Sequence, residues 1–397
     1  MVVMKRIIAC FIFIALAFGA NATVNNHVGE LPRMTLLTCS PGEELYTCFG
    51  HSALRYTDTL NGEWVDRVFN YGTFEFSEGF YLKFARGKLN YMLSVEDFAD
   101  FQQQYLYGGR GILENEFKLN AEQIRLLGAM LIENAKKENR YFQYDFFYDN
   151  CATRVRDIVL KAFPEIQQNE KTFSNRPRFR HDIDVYLAHQ YWADFGIDLV
   201  LGMPCDKTPE AGQTSFLPDS LQSNMMAWTI NGTKILGRSN EILPVDDSLF
   251  EKETKSAKPI FYVTLSAILF AAFSAYLIWK KRGWNLSERI FLGFFALLGV
   301  VLLVMWFLTD HTTTKWNFNI LWANPMLFTL AFARMKGVKV WVRKYAFVQM
   351  GLSAYVLLAL FLPVIGIQTF PDEIGAWLVA QLILIYRFTR ITKPVKG

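Results

Sequence analysis

Five apolar stretches after residue 258 constrain the fold of this chain more than any other feature. They cover residues 260–279, 290–308, 318–332, 345–361 and 374–386. A helix needs about 20 apolar residues to cross the hydrocarbon core of a bilayer, so the third and fifth stretches are short for a span. The pattern predicts an all-α membrane domain of five transmembrane helices over residues 259–397.

Basic residues predict how these spans are oriented. They cluster in alternate connections, at 280–282, at 334–344 and in the tail from Arg387 onward. Connections rich in Lys and Arg stay in the cytoplasm, and the intervening connections, at 310–315 and 368–373, are poor in them. We therefore expect the C-terminus in the cytoplasm and the part of the chain before the spans on the opposite side of the membrane.

The first 22 residues have the pattern of an export signal. The basic end MVVMKR precedes an apolar run of about a dozen residues, and Ala20-Asn21-Ala22 forms an A-x-A cleavage site. We predict a signal peptide over residues 1–22 that is cleaved after Ala22. The alternative is an uncleaved N-terminal anchor, for which the apolar run is short.

The composition supports a membrane protein, and export would put its cysteines in an oxidising compartment. Hydrophobic residues make up 52% of the 397 residues, which is too apolar for an ordinary soluble domain. The net charge of +4 says little as a total. The cysteines that follow the predicted signal are Cys39, Cys48, Cys151 and Cys205. Two disulfides, one or none are open to them.

Residues 23–249 alternate strand-like and helix-like patterns, which predicts an exported α+β domain. The segment CFGHSALRY has the composition of a strand. Leu60-Asn61-Gly62-Glu63 is a hairpin turn signal that joins this strand to WVDRVFNYGTFEF. A polar, charged linker at residues 250–258 leads into the first span.

The segment YDFFYDNCATRVRD places a cysteine in the first turn of a predicted helix. Apolar residues recur there at helical spacing, at Ala152, Val155, Val159 and Ala162. Asp149 or Asn150 is a suitable N-cap, which makes Cys151 an early residue of the helix. Unpaired N–H groups and the helix dipole lower the pKa of a thiol at this position and can bind an oxyanion. Cys151 is therefore a candidate nucleophile.

A thiol nucleophile needs a nearby base, and His51 is the best candidate in the exported part. It lies within a predicted strand, which would aim the imidazole rigidly. Asp66 and Asn70 on the neighbouring strand are candidates for orienting that imidazole, and the sequence does not decide between them. The structural alternative is a buried cysteine and a packing histidine. A zinc site lacks the paired CxxC or HxxxH spacing.

The segments GHSALRY, FNYGTFEF, YDFFYDNCATRVRD and FGIDLVLG, followed by five spans, resemble the Lnb family of bacterial lipoprotein N-acyltransferases. The order of a histidine strand and then an Asn-Cys helix is also similar to the circularly permuted branch of the NlpC/P60 and papain-like superfamily, including the lecithin:retinol acyltransferase type. The resemblance implies a permuted NlpC/P60, papain-like periplasmic α+β domain followed by a five-helix transmembrane domain.

The resemblance also implies roles for particular residues. Cys151 would be the nucleophile and His51 the base, with Asn150 and the Cys151 N–H as oxyanion donors and Asp66 as catalytic support. Side chains in the matching blocks would bind substrate or form salt bridges, at Arg55, Tyr71 and Arg154. His311 and Asn324, in a polar and aromatic stretch predicted at the outer membrane face, would contact lipid.

The activity implied by the resemblance moves an acyl chain from a phospholipid, through a Cys151 thioester, to the α-amino group of the diacylglyceryl-cysteine of a lipoprotein. Its partners would be these two lipids and the bilayer, with no nucleic acid, metal or cofactor. The protein would lie in the bacterial inner membrane with its N-terminal domain in the periplasm. The alternatives are a membrane-anchored cysteine amidase or peptidase that acts on cell-wall peptides, and a non-catalytic membrane organiser.

Overall fold

The computed structural model describes residues 31–74, 79–169, 177–210, 212–245, 258–280, 283–334 and 338–392. The predicted signal peptide lies outside these ranges, and so does most of the predicted linker. The first long apolar helix begins at Pro259. The domain boundary expected at residue 249 stays a prediction because that residue is not among those described.

A seven-stranded sheet organises the first part of the described chain. Its strands are β1 (Arg33–Cys39), β2 (His51–Leu60), β3 (Glu63–Thr73), β4 (Asn90–Asp97), β5 (Ile112–Phe117), β6 (Tyr141–Gln143) and β9 (Leu236–Leu243). The order across the sheet is β6-β4-β3-β2-β1-β5-β9, and all neighbouring strands are antiparallel. Two short strands, β7 (Thr229–Ile230) and β8 (Thr233–Lys234), form a separate hairpin.

The turn between β2 and β3 fixes the centre of this sheet. Asn61 has φ +55° and Gly62 has φ +83°, so both central residues are left-handed, as a type I′ turn requires. Leu60 consequently pairs with Glu63, and the two strands continue in register to the pair of Leu54 and Phe69. The predicted hairpin is confirmed.

Helices cover both faces of the sheet. The α-helices of this part are α1 (Phe80–Ala85), α2 (Phe98–Tyr107), α3 (Ala121–Ala135), α4 (Cys151–Ala162), α5 (Phe179–Leu187), α6 (Tyr191–Val200) and α7 (Pro218–Met225). Leu54 of β2 belongs to a buried cluster with Val155 of α4, whereas Ala53, on the opposite face, packs in a cluster with Phe101 of α2. The predicted α+β class is confirmed.

Four helices of the described chain are long and apolar enough to cross a membrane. They are α8 (Pro259–Trp279), α9 (Leu286–Phe307), α11 (Val340–Phe361) and α12 (Ile374–Ile391). The third predicted span takes a different form, because residues 318–332 hold a 3₁₀ helix at Phe318–Leu321 and the five-residue helix α10 (Leu327–Ala331). Pro325 lies between them and cannot donate a backbone hydrogen bond, which accounts for the interruption.

The broken third segment nevertheless runs the whole length of α9. Near the C-terminal end of α9, the ammonium of Lys315 donates to the carbonyl of Trp306 at 2.7 Å. At mid-helix, Gly299 lies so close to the segment that a Cβ there would stand 2.2 Å from the carbonyl oxygen of Ala323. In the first turn of α9, Arg289 donates to the carbonyl of Ala331 at 2.6 Å. Residues 315–333 therefore lie along α9 without forming one continuous helix, and we call them the broken crossing because they take the place of the third predicted span.

Irregular backbone inside a bilayer must find its hydrogen-bond partners within the protein. The amide of Gln349, on α11, donates to the carbonyl of Leu321 at 2.9 Å, and that of Gln381, on α12, donates to the carbonyl of Trp322 at 3.0 Å. Both glutamines are fully buried. The long helices thus supply the donors that a regular helix would have supplied itself.

The two parts of the chain meet at several polar contacts. The Thr312 hydroxyl donates to the Asp145 carboxylate at 2.6 Å, and the Asn317 amide donates to the carbonyl of Leu199 at 2.9 Å. Gly202 packs against the carbonyl of Lys315 so closely that no side chain would fit. Asp145 lies six residues before Cys151 along the chain. The loop that leads into the Cys151 helix is therefore attached to the top of the membrane helices.

Gln349→Leu tests the broken crossing. The substitution removes the donor to Leu321 and should cost about 1–3 kcal/mol, the usual penalty for a buried carbonyl left without a partner. We expect a clearly lower thermal unfolding midpoint of the full-length protein in detergent. Val348→Leu, at an exposed position on the same helix, is the matched control. Equal midpoints for the two variants would show that the glutamine does not stabilise the crossing.

Candidate active site

Cys151 is the first residue of α4, and Asn150 caps that helix. The Asn150 side-chain oxygen accepts from the Thr153 N–H at 2.9 Å, and the Thr153 hydroxyl accepts from the Asn150 N–H at 2.7 Å. The Asn150 amide group also donates to the carbonyls of Phe146 and Phe216, at 2.6 and 2.8 Å. Both amide hydrogens are thus engaged, so the structure places Asn150 as a helix cap and loop anchor rather than as an oxyanion donor.

Backbone N–H groups surround the Cys151 sulfur instead. The N–H groups of Ser52, the second residue of β2, and of Ala152, the second residue of α4, lower the pKa of the Cys151 thiol. Cys151 itself is 6% exposed. The strand and the helix therefore meet at the thiol, and their N–H groups are placed to stabilise negative charge on it.

His51 begins β2 and is aimed at Cys151 by the chain before it. Gly50 has φ +74°, and a Cβ there would lie 2.8 Å from the carbonyl of Cys39, so glycine is required at this bend. The imidazole Nε2 lies 2.6 Å from the side-chain oxygen of Asn70. Cys151 interacts electrostatically with His51 and raises the pKa of the imidazole, and Nδ1 is the ring nitrogen that Asn70 leaves free.

Asn70, not Asp66, occupies the orienting position at His51. Asp66 lies four residues earlier on β3, about 13 Å along the strand at the usual rise, and its carboxylate pairs with Arg55 at 2.8 and 2.7 Å. The sequence offered both residues, and the strand register decides between them. The constellation is therefore Cys151, His51 and Asn70.

Glu96 fixes the orientation of the Asn70 amide. The Asn70 NH₂ group donates to one Glu96 oxygen at 2.9 Å, and Gln104 donates to the other at 2.8 Å. An ionised carboxylate only accepts, so the Asn70 NH₂ must face Glu96 and the Asn70 oxygen must face His51. This arrangement puts the proton of the neutral imidazole on Nε2 and leaves Nδ1 free to act as a base. Sequence reasoning missed Glu96 because the pairing of β3 with β4 is not visible in the sequence.

The electrostatics of the pair favour a thiolate and an imidazolium. Burial alone would raise the pKa of the Cys151 thiol, but the charge and hydrogen bond of His51, with the N–H groups of Ser52 and Ala152, bring that pKa below its ordinary value. Burial would likewise lower the pKa of His51, but Cys151 and Asn70 raise it above its ordinary value. Each group stabilises the charged form of the other.

The other cysteines of the described chain have the opposite character. Cys39, Cys48 and Cys205 are buried free thiols, and burial raises the pKa of each to about 12. A thiol with so high a pKa is almost wholly protonated at neutral pH and is a poor nucleophile. Cys151 therefore differs from them in its environment.

The predicted substrate-binding residues of the first part lie in structural contacts. Arg55 forms ion pairs with Asp66 and Glu114. Tyr71 is 2% exposed, and its hydroxyl accepts from the Asn134 amide at 2.9 Å. Arg154 pairs with Asp149 and stacks on the ring of Phe142 at 4.0 Å. These contacts join strands and helices around the site, and a binding role for the three residues stays a prediction.

The two predicted lipid contacts lie in different places. His311 is at the junction of the two parts, where its Nε2 lies 3.1 Å from the carbonyl of Phe84. Asn324 lies within the broken crossing, and its side-chain oxygen accepts from the Met326 N–H at 2.9 Å. His311 therefore remains a candidate for contact with lipid headgroups, whereas Asn324 shapes the turn before α10.

One acidic cluster of the described residues could hold a metal ion by geometry. A carboxylate oxygen from each of Asp184, Asp194 and Asp198 lies within 4.8 Å of the others. Arg180 forms ion pairs with Asp198 and Asp206, so positive charge is already present. Burial raises the pKa of Asp184 and of Asp194 to about 7, which makes them weaker ligands for a cation at neutral pH.

These features define a membrane-bound α+β protein with a cysteine, a histidine and an asparagine gathered at the start of a buried helix. Two family models match the chain: one described as the Lnb N-terminal periplasmic domain, over residues 25–187, and one described as the Lnb transmembrane domain, over residues 251–395. The chain belongs to the Lnb family, as its motifs predicted. No curated protein and no solved structure matches it.

The pH dependence of Cys151 alkylation tests the ion pair. In the wild-type protein, the rate at which Cys151 reacts with iodoacetamide should begin to rise at a lower pH than the rate for an ordinary thiol. In His51→Ala, burial remains while the imidazolium is lost, so the pKa should move above the ordinary value and the rate at pH 7 should fall by at least about tenfold. Cys151→Ala gives the background from the other thiols. The idea fails if His51→Ala keeps the wild-type profile.

Glu96→Gln tests whether Glu96 positions His51 through Asn70. A glutamine can present either oxygen or NH₂, so Asn70 is free to rotate and Nε2 of His51 loses its fixed acceptor. The alkylation profile should move in the same direction as in His51→Ala, by less. The neighbouring exposed carboxylate Asp97, which pairs with Arg67, provides the control Asp97→Asn. A Glu96→Gln profile identical to that of the control would contradict the assignment.

Proposed function

We propose that this protein is a lipoprotein N-acyltransferase that moves an acyl chain from a phospholipid to the α-amino group of the N-terminal diacylglyceryl-cysteine of a lipoprotein. The observation that carries the proposal is the placement of Cys151 at the start of α4 together with His51, whose Nε2 is held by Asn70 and whose charge lowers the pKa of the thiol. Membership of the Lnb family and the attachment of the Cys151 loop to the membrane helices support it.

In the first half-reaction the Cys151 thiolate attacks the ester carbonyl of the phospholipid. Backbone N–H groups at the start of α4 stabilise the oxyanion of the tetrahedral intermediate. The carbon–oxygen bond of the ester breaks, and imidazolium His51 gives its proton to the departing alkoxide. The products are a lysophospholipid and a thioester on Cys151.

In the second half-reaction the amine of the diacylglyceryl-cysteine attacks the thioester. His51, now neutral, accepts the amine proton through Nδ1 while Asn70 holds Nε2. The carbon–sulfur bond breaks, and the products are an amide on the lipoprotein and a thiolate on Cys151. The imidazolium and thiolate of the resting site are thereby restored, so no cofactor is consumed.

The proposed location of the protein is the bacterial inner membrane. The first part of the chain, residues 23–249, would lie in the periplasm, on the outer face of the bacterial inner membrane, where both lipid substrates are found. The C-terminus would lie in the cytoplasm, in accord with the basic connections at 280–282 and 334–344. This orientation puts Cys151 near the lipid headgroups, because Asp145 is tied to Thr312 beside the end of α9.

Reconstitution with defined lipids tests the proposed reaction. Full-length wild type, Cys151→Ala and the control Cys48→Ala would be placed in nanodiscs with phospholipid and a diacylated lipopeptide. We expect wild type and Cys48→Ala to acylate the peptide α-amine, seen by mass spectrometry, and Cys151→Ala to lose at least about 10³-fold in rate. Equal acylation by Cys151→Ala would exclude Cys151 as the nucleophile. Cleavage of a cell-wall peptide without acylation would favour the amidase reading.

A further inference from the structure

A continuous series of aromatic rings leads away from Cys151. Tyr144 and Cys151 lie on either side of Gly72, where a Cβ would stand 3.7 Å from the Tyr144 ring and 3.7 Å from the Cys151 Cβ. The next ring, Tyr91, has its centroid 4.5 Å from that of Tyr144, and Phe74 follows at 5.6 Å. The series continues into α1, with Phe80 at 5.3 Å from Phe74 and Phe84 at 6.2 Å from Phe80. We call these five residues the aromatic track.

The far end of the aromatic track reaches the end of a membrane helix. The carbonyl of Phe84 contacts the His311 ring, and the carbonyl of Arg86 accepts from the Asp310 N–H at 2.9 Å. Asp310 follows α9 by three residues. The track therefore starts at the thiol and ends at the boundary of the membrane part.

The surface around this end has the character of a lipid contact. The apolar side chains of Leu82 and Phe84 on α1 are 64% and 48% exposed, and those of Phe307 and Leu308 at the end of α9 are each 65% exposed. Lys83 and Arg86 flank the α1 residues and are exposed as well. Apolar side chains beside cations are typical of a surface that lies in the headgroup region, where acyl chains and phosphates meet.

We propose that the aromatic track holds the acyl chain of the donor phospholipid, with the ester carbonyl at Cys151 and the far end of the chain beside α1. The inference rests on the proposed function, because an acyl-enzyme has its chain attached to the Cys151 sulfur and must place the first methylenes beside Gly72 and Tyr144. The missing side chain of Gly72 leaves room between the Tyr144 ring and the Cys151 side chain.

Photocrosslinking tests occupancy without catalysis. The probe is a phosphatidylglycerol with a diazirine in the middle of one acyl chain, incorporated in nanodiscs with full-length Cys151→Ala. We expect the crosslinks, mapped by mass spectrometry, to include the α1 segment and Tyr91. Crosslinks confined to the long membrane helices would overturn the inference.

Chain-length dependence tests the role of the track in the reaction. Acyl-enzyme formation would be followed by intact mass for Phe80→Ala and for Tyr107→Ala, a control at an 81% exposed aromatic residue off the track. With a long-chain phospholipid, the rate of acyl-enzyme formation by Phe80→Ala should fall on the order of tenfold. This loss corresponds to the burial of about two methylene groups. With a dihexanoyl phospholipid, too short to reach α1, it should match the control.

The outcomes separate the track from the proposed function. Equal loss with both lipids would mean that Phe80 has only a structural role, and no loss with either would mean that the chain lies elsewhere; each overturns the inference while leaving the acyl-enzyme intact. Absence of acyl-enzyme in the wild type with both lipids would overturn the proposed function itself. Crosslinking of α1 in that case would still show a lipid site, although not an acyl-donor site.

Discussion

The mutual electrostatic stabilisation of Cys151 and His51 is the interaction on which the rest of the site depends. Burial alone would disfavour a charge on either group, and each group stabilises the charged form of the other, so the pKa of the thiol is lowered and that of the imidazole is raised. The pair can form only if the start of a helix and the start of a strand meet. The Asn150 cap fixes the helix start, and the left-handed Gly50 fixes the strand start.

In the membrane part, too, groups of one segment are stabilised by partners from distant segments of the chain. The broken crossing gives up its own helical hydrogen bonds, and buried amides on α11 and α12 replace them. As a result, this segment does not have to be a regular helix. Asn317, at its upper end, contacts Leu199 of the N-terminal part, while the adjoining Thr312 contacts Asp145. Irregular backbone thus joins the long apolar helices to the N-terminal part, which fixes the position of Cys151 relative to those helices.

The sequence predicted those features that depend on local chemistry. The Asn61-Gly62 turn, the capped cysteine helix and the family resemblance could all be derived from short segments. The register of β3 with β2 and β4 could not, because it depends on the whole sheet, and it decides that Asn70 rather than Asp66 reaches His51 and that Glu96 stands behind it. Hydropathy likewise found the third crossing but not its broken form, since apolar composition does not report which backbone groups find partners on other helices.

Burial of Cys151 also bears on why an amine, and not water, would receive the acyl group. Cys151 is 6% exposed, and its side chain packs near Gly72, with the Tyr144 ring beyond. A thioester formed there would have little water beside it, and an acyl chain along the aromatic track would exclude more. Hydrolysis would then be slow, and the thioester would persist until the amine of the acceptor comes within reach of His51. The buried site and its apolar surroundings therefore favour acyl transfer over hydrolysis, although the same Cys–His pair could catalyse either.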